Sequence, residues 1–291
     1  MSADCPKPAV IVISSHVVRG SVGNRAAVFA LETLGHNVWA VPTVTLPWHP
    51  GHGKATRIIA TDDEFAALLE DLGNAPWLSE VGGVLSGYLG SASQAAAIAN
   101  LVAKARIQNP DLIYACDPVI GDHGGLYVGE ETAKSIRNTL IPIADLITPN
   151  RFELAWLCQH SPFESNDEIL KAAAQLDRPL TLITSAISMM RGSTGNILLS
   201  KKGALLAEHT MIENPPNGLG DLTAALLLAR LLQKLPLDKA LQIVTASVFE
   251  ILGRSHRRDA DELMLETDSA SLVRPMAMVQ MRNLFLPNRR P

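Results

Sequence analysis

The chain has 291 residues, of which 47% are hydrophobic and 19% are charged, and its formal net charge is -4 at pH 7. This composition excludes disordered, collagen-like and low-complexity chains, and the charge balance gives no bulk positive field for nucleic acid or an anionic membrane. The length equals roughly two average domains, but large α/β folds reach this size as one unit. Because no internal repeat or long linker divides the chain, we predict a single domain over residues 1–291.

Short runs rich in Val, Ile and Leu alternate with segments of helical period, which is typical of β-α units around a sheet buried on both faces. We predict strands at residues 9–14, 37–44, 81–85, 112–116, 145–147 and 180–184. Helices are predicted at residues 24–34, 91–106, 130–140, 151–158 and 167–176, the second of them opened by an N-capping serine. The expected fold class is therefore α/β, with a central, mostly parallel sheet flanked by helices.

The last third of the chain has a different character. Residues 196–200 and 204–208 predict a β-hairpin, and two helices follow it, a long Ala/Leu helix after Gly218 and another at residues 237–252. We expect the charged stretch at 254–268 to be a solvated loop and residues 271–286 to form a last helix.

The three cysteines, Cys5, Cys116 and Cys158, form neither a C-x-x-C pair nor an even disulfide framework, which favours a reducing compartment, the cytoplasm. The N-terminal apolar run is too short for a signal-peptide core, and the apolar run at 222–232 is shorter than the roughly 20 residues that a membrane span requires. No export signal and no transmembrane helix are expected.

Two glycines and an acid come together in Gly218-Leu219-Gly220-Asp221, directly before the long apolar helix. Such a turn lets bare backbone N–H groups converge at the positive end of a helix, where they can bind a phosphate or an oxyanion. A carboxylate beside a phosphate adds repulsion unless it has a chemical task, such as accepting a proton from an attacking hydroxyl. The alternative is that Asp221 is an ordinary helix N-cap.

Acid- and amide-bearing segments follow two predicted strands at the edge where open α/β sheets bind ligands. They are Asp117-Pro118-Val119-Ile120-Gly121-Asp122 and Thr148-Pro149-Asn150-Arg151-Phe152-Glu153. Asp117 and Glu153 could hold a hydrated Mg²⁺ on nucleotide phosphates, because Mg²⁺ prefers few carboxylates and keeps several waters. The alternative is turn and cap chemistry, with Glu153 in the first turn of the next helix.

Small polar residues follow the first and third predicted strands at the same edge, with Ser15 in one segment and Tyr88 in the other. They could orient a substrate and cover a planar ring, although turn formation and packing explain them equally well. The Pro/Gly loop that carries His49 and His52 could act as a lid. A metal site there is not expected, because no third ligand is apparent.

Taken together, these motifs resemble those of pyridoxal kinases in the ribokinase-like superfamily. The matching segments occur in the family's order, at residues 15–20, 23–27, 86–88, 117–122, 148–153 and 218–221. The resemblance implies a three-layer sandwich that transfers the γ-phosphoryl group of ATP to the 5′-hydroxyl of pyridoxal, with pyridoxine and pyridoxamine as further substrates. It also implies Mg²⁺, leaves open a monovalent cation, and indicates a homodimer.

The resemblance assigns a role to each site residue. It makes Asp221 the base, and Gly218, Leu219 and Gly220 the anion hole. It places Ser15, His49, Tyr88 and Asp221 against the substrate. It places Asp117, Asp122, Tyr127, Thr148, Asn150, Glu153, Thr184 and Ser185 at the nucleotide, with Asp117 and Glu153 serving the metal. Because the helix dipole stabilises the ionised carboxylate, we expect Asp221 to be a weak base.

One loop departs from the family. Relatives commonly have an Asn-His-Thr-Gly-Tyr-like run where this chain has Trp48-His49-Pro50-Gly51-His52, so the preference among B6 vitamers stays open. A B6-binding carrier with little catalysis is one alternative function. A hydroxymethylpyrimidine kinase is another, although many such enzymes carry Cys at the position of Asp221.

Overall fold

The computed structural model describes residues 7–285. Their main sheet contains β1 (Ala9–Val17), β2 (Val38–Leu46), β3 (Val81–Ser86), β4 (Ile113–Cys116), β7 (Leu146–Ile147), β8 (Leu180–Ile187), β9 (Ser193–Ser200), β10 (Gly203–Thr210) and β11 (Gln280–Leu284). A separate small hairpin joins β5 (Gly121–Asp122) to β6 (Gly125–Leu126).

The order across the sheet is β11-β10-β9-β8-β7-β4-β3-β1-β2. The strands from β2 through β8 pair in parallel, and the strands from β8 through β11 pair antiparallel. The predicted α/β class with a mostly parallel sheet is confirmed. The chain passes from β1 to β2 on one side and returns to β3 on the other, which creates the kind of crevice where open α/β sheets bind ligands.

Helices cover both faces of the sheet. They are α1 (Asn24–Thr33), α2 (Asp62–Gly73), α3 (Gln94–Gln108), α4 (Glu130–Ser135), α5 (Arg151–Leu157), α6 (Asn166–Gln175), α7 (Leu219–Leu232), α8 (Leu237–Arg257) and α9 (Ser269–Val273). Successive strand residues point to opposite faces, so Leu182 packs with α1, α7 and α8 whereas Ile183 packs with α5 and α6. The predicted three-layer sandwich is therefore confirmed.

Helix α7 is buried almost all round. Every residue from 222 to 230 is buried, because α7 lies between the sheet and helices α1 and α8. Even Arg230 is only 7% exposed, and its Nη2 donates a hydrogen bond to the Leu272 carbonyl at 2.7 Å. This packing fixes the position of the helix N-terminus, where the Gly218–Asp221 segment lies.

The first half of the chain differs from the prediction at α2 and α3. Helix α2 was not predicted, although Thr61 and Glu64 form a capping box directly before its apolar residues. Helix α3 begins at Gln94, three residues after the expected Ser91. Ser93 is the N-cap residue, but the hydroxyls of Ser91 and Ser93 donate to the Asp62 carboxylate, so neither side chain caps the helix.

The prediction of a solvated loop at 254–268 is only partly correct, since residues 258–268 do form a loop, and the prediction of a helix at 271–286 is wrong. Helix α8 continues to Arg257, and Leu263, Leu265 and Asp268 beyond it are buried rather than solvated. Helix α9 ends at Val273, because Pro275 disfavours helical backbone at the residue before it. Residues 280–284 then pair with β10 as an edge strand, and residue 286 lies outside the described residues.

Cys116 and Cys158 are free thiols, whereas Cys5 lies outside the described residues. Of the helices within 7–285, none combines the length and the apolar character that crossing a membrane would require.

Candidate active site

The predicted site residues gather at one edge of the sheet, around the start of α7. Ser15 lies in β1, Tyr88 follows β3, Asp117 follows β4, Thr148 and Asn150 follow β7, and Thr184 and Ser185 lie in β8. Parallel strands bring their carboxyl ends to the same edge, so residues far apart in sequence become neighbours.

The α7 turn begins with Gly218 in the left-handed region, at φ +96°. A Cβ on Gly218 would lie 2.1 Å from the Ser21 carbonyl oxygen, so both the conformation and the close approach require glycine. Gly218 is the N-cap, and no side chain caps the turn. Its first backbone N–H groups thus carry the positive end of the helix dipole without a side-chain cap, as an anion cradle requires.

Asp221 is the third residue of α7, not its N-cap, so the capping alternative is wrong. Burial raises the pKa of its carboxyl to about 6, although a hydrogen bond with the Gly23 backbone acts in the opposite direction. The expectation of a weak base is therefore also wrong, because burial outweighs the backbone hydrogen bonds that stabilise the ionised carboxylate. A carboxyl with this pKa is ionised at neutral pH and is still a competent proton acceptor.

Asp117 lies opposite the glycines of the α7 turn. It is 6% exposed, its Oδ1 accepts a hydrogen bond from the Thr148 hydroxyl at 2.8 Å, and a Cβ on Gly220 would lie 3.9 Å from its Oδ2. Burial raises the pKa of Asp117 well above its usual range, and the charges of Glu153 and Asp221 raise it further. Asp117 thus lies close enough to the other two carboxylates to be repelled by both.

Glu153 holds the loop between β4 and the small hairpin. Its Oε1 accepts from the Ile120 N–H at 2.9 Å, and its Oε2 accepts from the Asn150 N–H at 2.8 Å as part of a capping box. The hydrogen bond to Ile120 directly follows Val119, which has a strained φ of +41°. Burial raises the pKa of Glu153 to about 7. The capping alternative for this residue is confirmed, which leaves its metal role a prediction.

The residues present fit a hydrated Mg²⁺. Asp117 and Glu153 are both buried, and the charge of Glu153 raises the pKa of Asp117, so a divalent cation between them would lower this repulsion. Mg²⁺ is commonly held by one or two carboxylates and by water, and residues 7–285 contain no group of three His, Cys, Asp or Glu side chains arranged to hold a metal alone.

The β5–β6 hairpin, which the sequence analysis did not predict, stands beside the predicted nucleotide residues. The Asn150 amide donates to the Gly121 carbonyl at 2.9 Å, and Asp122 Oδ1 accepts from the Gly124 N–H at 2.7 Å. The ring of Tyr127 follows the hairpin and is half-exposed. Strand β8 is irregular between Ile183 and Ala186, where Thr184 forms an isolated bridge with Asn150 and Ser185 is the next residue along the chain.

Ser15 and Tyr88, predicted to contact the substrate, lie on the other side of Asp221. A Cβ on Gly23 would lie 2.4 Å from Ser15 Oγ, so Ser15 packs against the segment that reaches Asp221. The Tyr88 hydroxyl accepts from Arg57 Nη2 at 2.8 Å. The Tyr88 ring rests on a small apolar cluster formed by Val17, Val22, Val44 and Leu46.

His49 caps a short turn, Pro50–His52, where its Nδ1 accepts from the Gly51 N–H at 3.1 Å. Burial lowers the pKa of His49. This loop lies close to the α7 turn, since a Cβ on Gly51 would lie 3.3 Å from the Asn217 amide nitrogen.

Two residues of this region were not predicted. Arg57 contacts Tyr88, and Glu262 contacts the loops after β1 and β2. No local motif marks either residue, because each meets its partner only through the tertiary fold.

Comparison with known proteins is consistent with this arrangement. The model of the family described as phosphomethylpyrimidine kinase matches residues 79–287. A pyridoxal kinase from Rubrobacter xylanophilus is 35% identical over 282 residues, which cover 94% of this chain and 97% of that protein. A pyridoxal kinase from Deinococcus radiodurans is 32% identical, with 96% of each chain covered.

A solved structure is also similar over nearly its whole length. Pyridoxal kinase from Leishmania donovani, in complex with ADP and pyridoxine, matches with a TM-score of 0.87 and 27% identity. The match covers 95% of this chain and 99% of that chain.

Proposed function

We propose that this chain transfers the γ-phosphoryl group of ATP to the 5′-hydroxyl of pyridoxal, because it belongs to the pyridoxal kinase family of the ribokinase-like superfamily. The products are pyridoxal 5′-phosphate and ADP. Pyridoxine and pyridoxamine are further substrates in this proposal, and the similarity to a kinase complexed with ADP and pyridoxine supports it.

The observation that carries the proposal is the half-buried Asp221 at the N-terminus of α7, with its raised pKa, next to a turn that only glycine can make. The carboxylate provides a proton acceptor, and the turn provides donors for a phosphate. An ordinary helix start explains neither the raised pKa of Asp221 nor the close approach of Gly218 to Ser21.

In this mechanism Asp221 orients the 5′-hydroxyl and takes its proton as the alcohol oxygen bonds to the γ-phosphorus. The bond from the γ-phosphorus to the bridging oxygen breaks, and the electron pair leaves with ADP. Phosphoryl transfer has a loose transition state, so alignment and charge stabilisation contribute more than covalent assistance. The N–H groups of Leu219 and Gly220 then donate to the equatorial oxygens of the migrating group.

The nucleotide lies along Asp117, Thr148, Asn150 and the irregular end of β8. Asp117 and Glu153 would hold hydrated Mg²⁺, which when bound neutralises charge on the phosphates. Glu153 acts there through water, because its oxygens already accept backbone hydrogen bonds. Asp122 and Tyr127 border the nucleotide site on the side of the β5–β6 hairpin. Thr184 and Ser185 border it on the side of β8.

The substrate ring lies between Ser15 and Tyr88, above the apolar cluster, with His49 on the neighbouring loop. The proposal also includes a single kinase domain, a homodimer and a cytoplasmic location. Sedimentation of the purified protein tests the dimer independently of activity.

The experiment is an activity assay with ATP and Mg²⁺, run separately with pyridoxal, pyridoxine, pyridoxamine and hydroxymethylpyrimidine. With pyridoxal as the substrate, we expect pyridoxal phosphate to form, as detected by its characteristic aldehyde absorbance, together with a stoichiometric amount of ADP. Tight vitamer binding without ADP formation would instead identify a carrier. Turnover of hydroxymethylpyrimidine alone would identify a pyrimidine kinase.

A further inference from the structure

One carboxylate outside the kinase motifs ties two loops of the substrate side together. Glu262 lies between α8 and α9, and its Oε2 accepts a hydrogen bond from the Ser21 N–H at 3.2 Å. Its Oε1 lies 2.9 Å from His52 Nε2. Because an ionised carboxylate only accepts hydrogen bonds, the proton of this contact belongs to the imidazole.

The Glu262 carboxylate is seated closely on the loop after β1. Its side chain is only 12% exposed, and a Cβ on Gly20 would lie 2.5 Å from Oε1. Gly20 has a φ of +111°, a conformation that glycine supplies without strain. Arg19 Nη1 lies 3.8 Å from the same oxygen. The backbone of this loop is thus shaped to receive the carboxylate.

Both of the loops that Glu262 contacts lead to the α7 turn. The Ser21 carbonyl packs directly against Gly218, and Gly51, next to His52, packs against Asn217. Glu262 is also near enough to His49 to raise its pKa against the dominant effect of burial. The nucleotide side is built separately, from β4, β7, β8 and the small hairpin, which Glu262 does not contact among the described residues.

We propose that Glu262 is a positioning residue for the vitamer, which holds the loops of Ser21 and His52 in the arrangement that closes the substrate side of the α7 turn. This inference rests on the proposed function. It concerns the vitamer alone, so the binding of ATP is independent of Glu262.

The test is the kinetics of the full-length Glu262→Ala variant. We expect its KM for pyridoxal to rise about tenfold, since two hydrogen bonds to one carboxylate are lost, with kcat changed less than about threefold. Its KM for ATP stays within about twofold of the wild-type value. A general loss of folding would change the KM values for ATP and for pyridoxal together. A selective change in the KM for pyridoxal therefore distinguishes positioning from a merely structural role.

Two further variants address the partners. Glu262→Gln keeps one acceptor for the Ser21 N–H and recovers part of the pyridoxal KM. His52→Ala raises the KM by itself, and the double variant Glu262→Ala/His52→Ala is less impaired than the product of the two single effects, because both changes remove one interaction.

Glu266→Ala is the matched control, because Glu266 is an exposed acid in the same segment and makes no hydrogen bond or ion pair among residues 7–285. It leaves both KM values unchanged.

The inference is overturned if Glu262→Ala keeps a wild-type KM for pyridoxal, or if the KM values for ATP and pyridoxal rise in parallel with a fall in Tm. Failure of the proposed function gives a different result, because the wild-type protein itself would then convert no vitamer.

Discussion

Two groups of carboxylates in this protein have pKa values that are shifted in opposite directions. The site acids are Asp117, Glu153 and Asp221, and the structural acids are Glu208, Glu250 and Asp268. Burial raises the pKa of every site acid, and no arginine or lysine makes an ion pair with one of them in the described part of the chain. The structural acids each pair with arginine, and each has a lowered pKa.

The structural acids fasten the C-terminal part of the chain. Burial alone would raise the pKa of Glu208 and Glu250, but hydrogen bonds outweigh it, including those from Arg282 to Glu208 and from Arg254 to Glu250. Asp268 is buried beneath Arg254 and Arg258, and its hydrogen bond from Arg258 lowers its pKa most.

The contrast indicates which acids serve folding and which serve function. A buried acid without a cation costs free energy of folding, so its presence calls for a task in the reaction. For an acid that is paired with a cation, the attraction between the two charges offsets the free-energy cost of burying the carboxylate. Replacing acids of the two groups should therefore have opposite effects on activity and stability.

The largest effect is expected for Asp221→Asn. The amide keeps the shape but accepts no proton, so kcat for pyridoxal should fall about 10²–10⁴-fold while ATP binding is retained. Steady-state kinetics and nucleotide titration measure both quantities. Asp238→Asn is the control, because Asp238 occupies the first turn of α8 but is exposed. A near-normal kcat for Asp221→Asn would show that Asp221, like Asp238, is only an acid in the first turn of a helix and has no role in the reaction.

Asp268→Asn should reverse this pattern. Loss of the buried charge leaves two arginines with a weaker acceptor, so the free energy of unfolding should fall by about 2–3 kcal/mol. The kcat of the folded enzyme should be unchanged. Urea unfolding measures the loss, and Asp167→Asn, which breaks only the exposed pair with Lys171, serves as the control. Equal stability of the two variants would contradict the contrast.

A pair of glycines separates backbone strain from catalysis. Gly218→Ala should lower kcat about ten- to hundredfold, because a Cβ displaces the turn whose N–H groups bind the phosphate. Gly203→Ala, at a positive φ in the β9–β10 turn with no atom within 4 Å of the new Cβ, should lose stability but keep kcat. If both variants kept kcat, the α7 turn would not bind the migrating group.

How much of the site could be predicted depends on how local each signal is. The Gly218-to-Asp221 segment could be recognised because its glycines and acid are contiguous, and Asp117 because it directly follows a strand. The pKa of Asp221 could not be predicted, since it depends on burial by the tertiary fold and on a hydrogen bond with the backbone of Gly23, nearly 200 positions earlier. Glu262 was missed for the same reason, because it meets Ser21 across 241 positions.

The errors in the fold have a similar origin. The parallel strands and most helices follow from local hydrophobic patterns, and α2 also had a readable capping box at Thr61. The stretch from 280 to 284 carries no decisive pattern of its own. It becomes a strand because the edge of β10 offers backbone partners, and that edge exists only after the sheet has formed.

The most direct test of the account is the free energy of unfolding of Asp221→Asn relative to the wild-type protein between about pH 4 and pH 8. The folded-state pKa of Asp221, about 6, is above its ordinary value of 3.8, so the acid contributes most stability at low pH and loses that contribution as the pH rises through this window. Asparagine does not titrate. As the pH rises, the free energy of unfolding of the variant should therefore increase relative to that of the wild-type protein by roughly 2 kcal/mol. This difference should level off above about pH 6. A variant that instead became less stable than the wild-type protein with rising pH, as a paired acid predicts, would contradict the account.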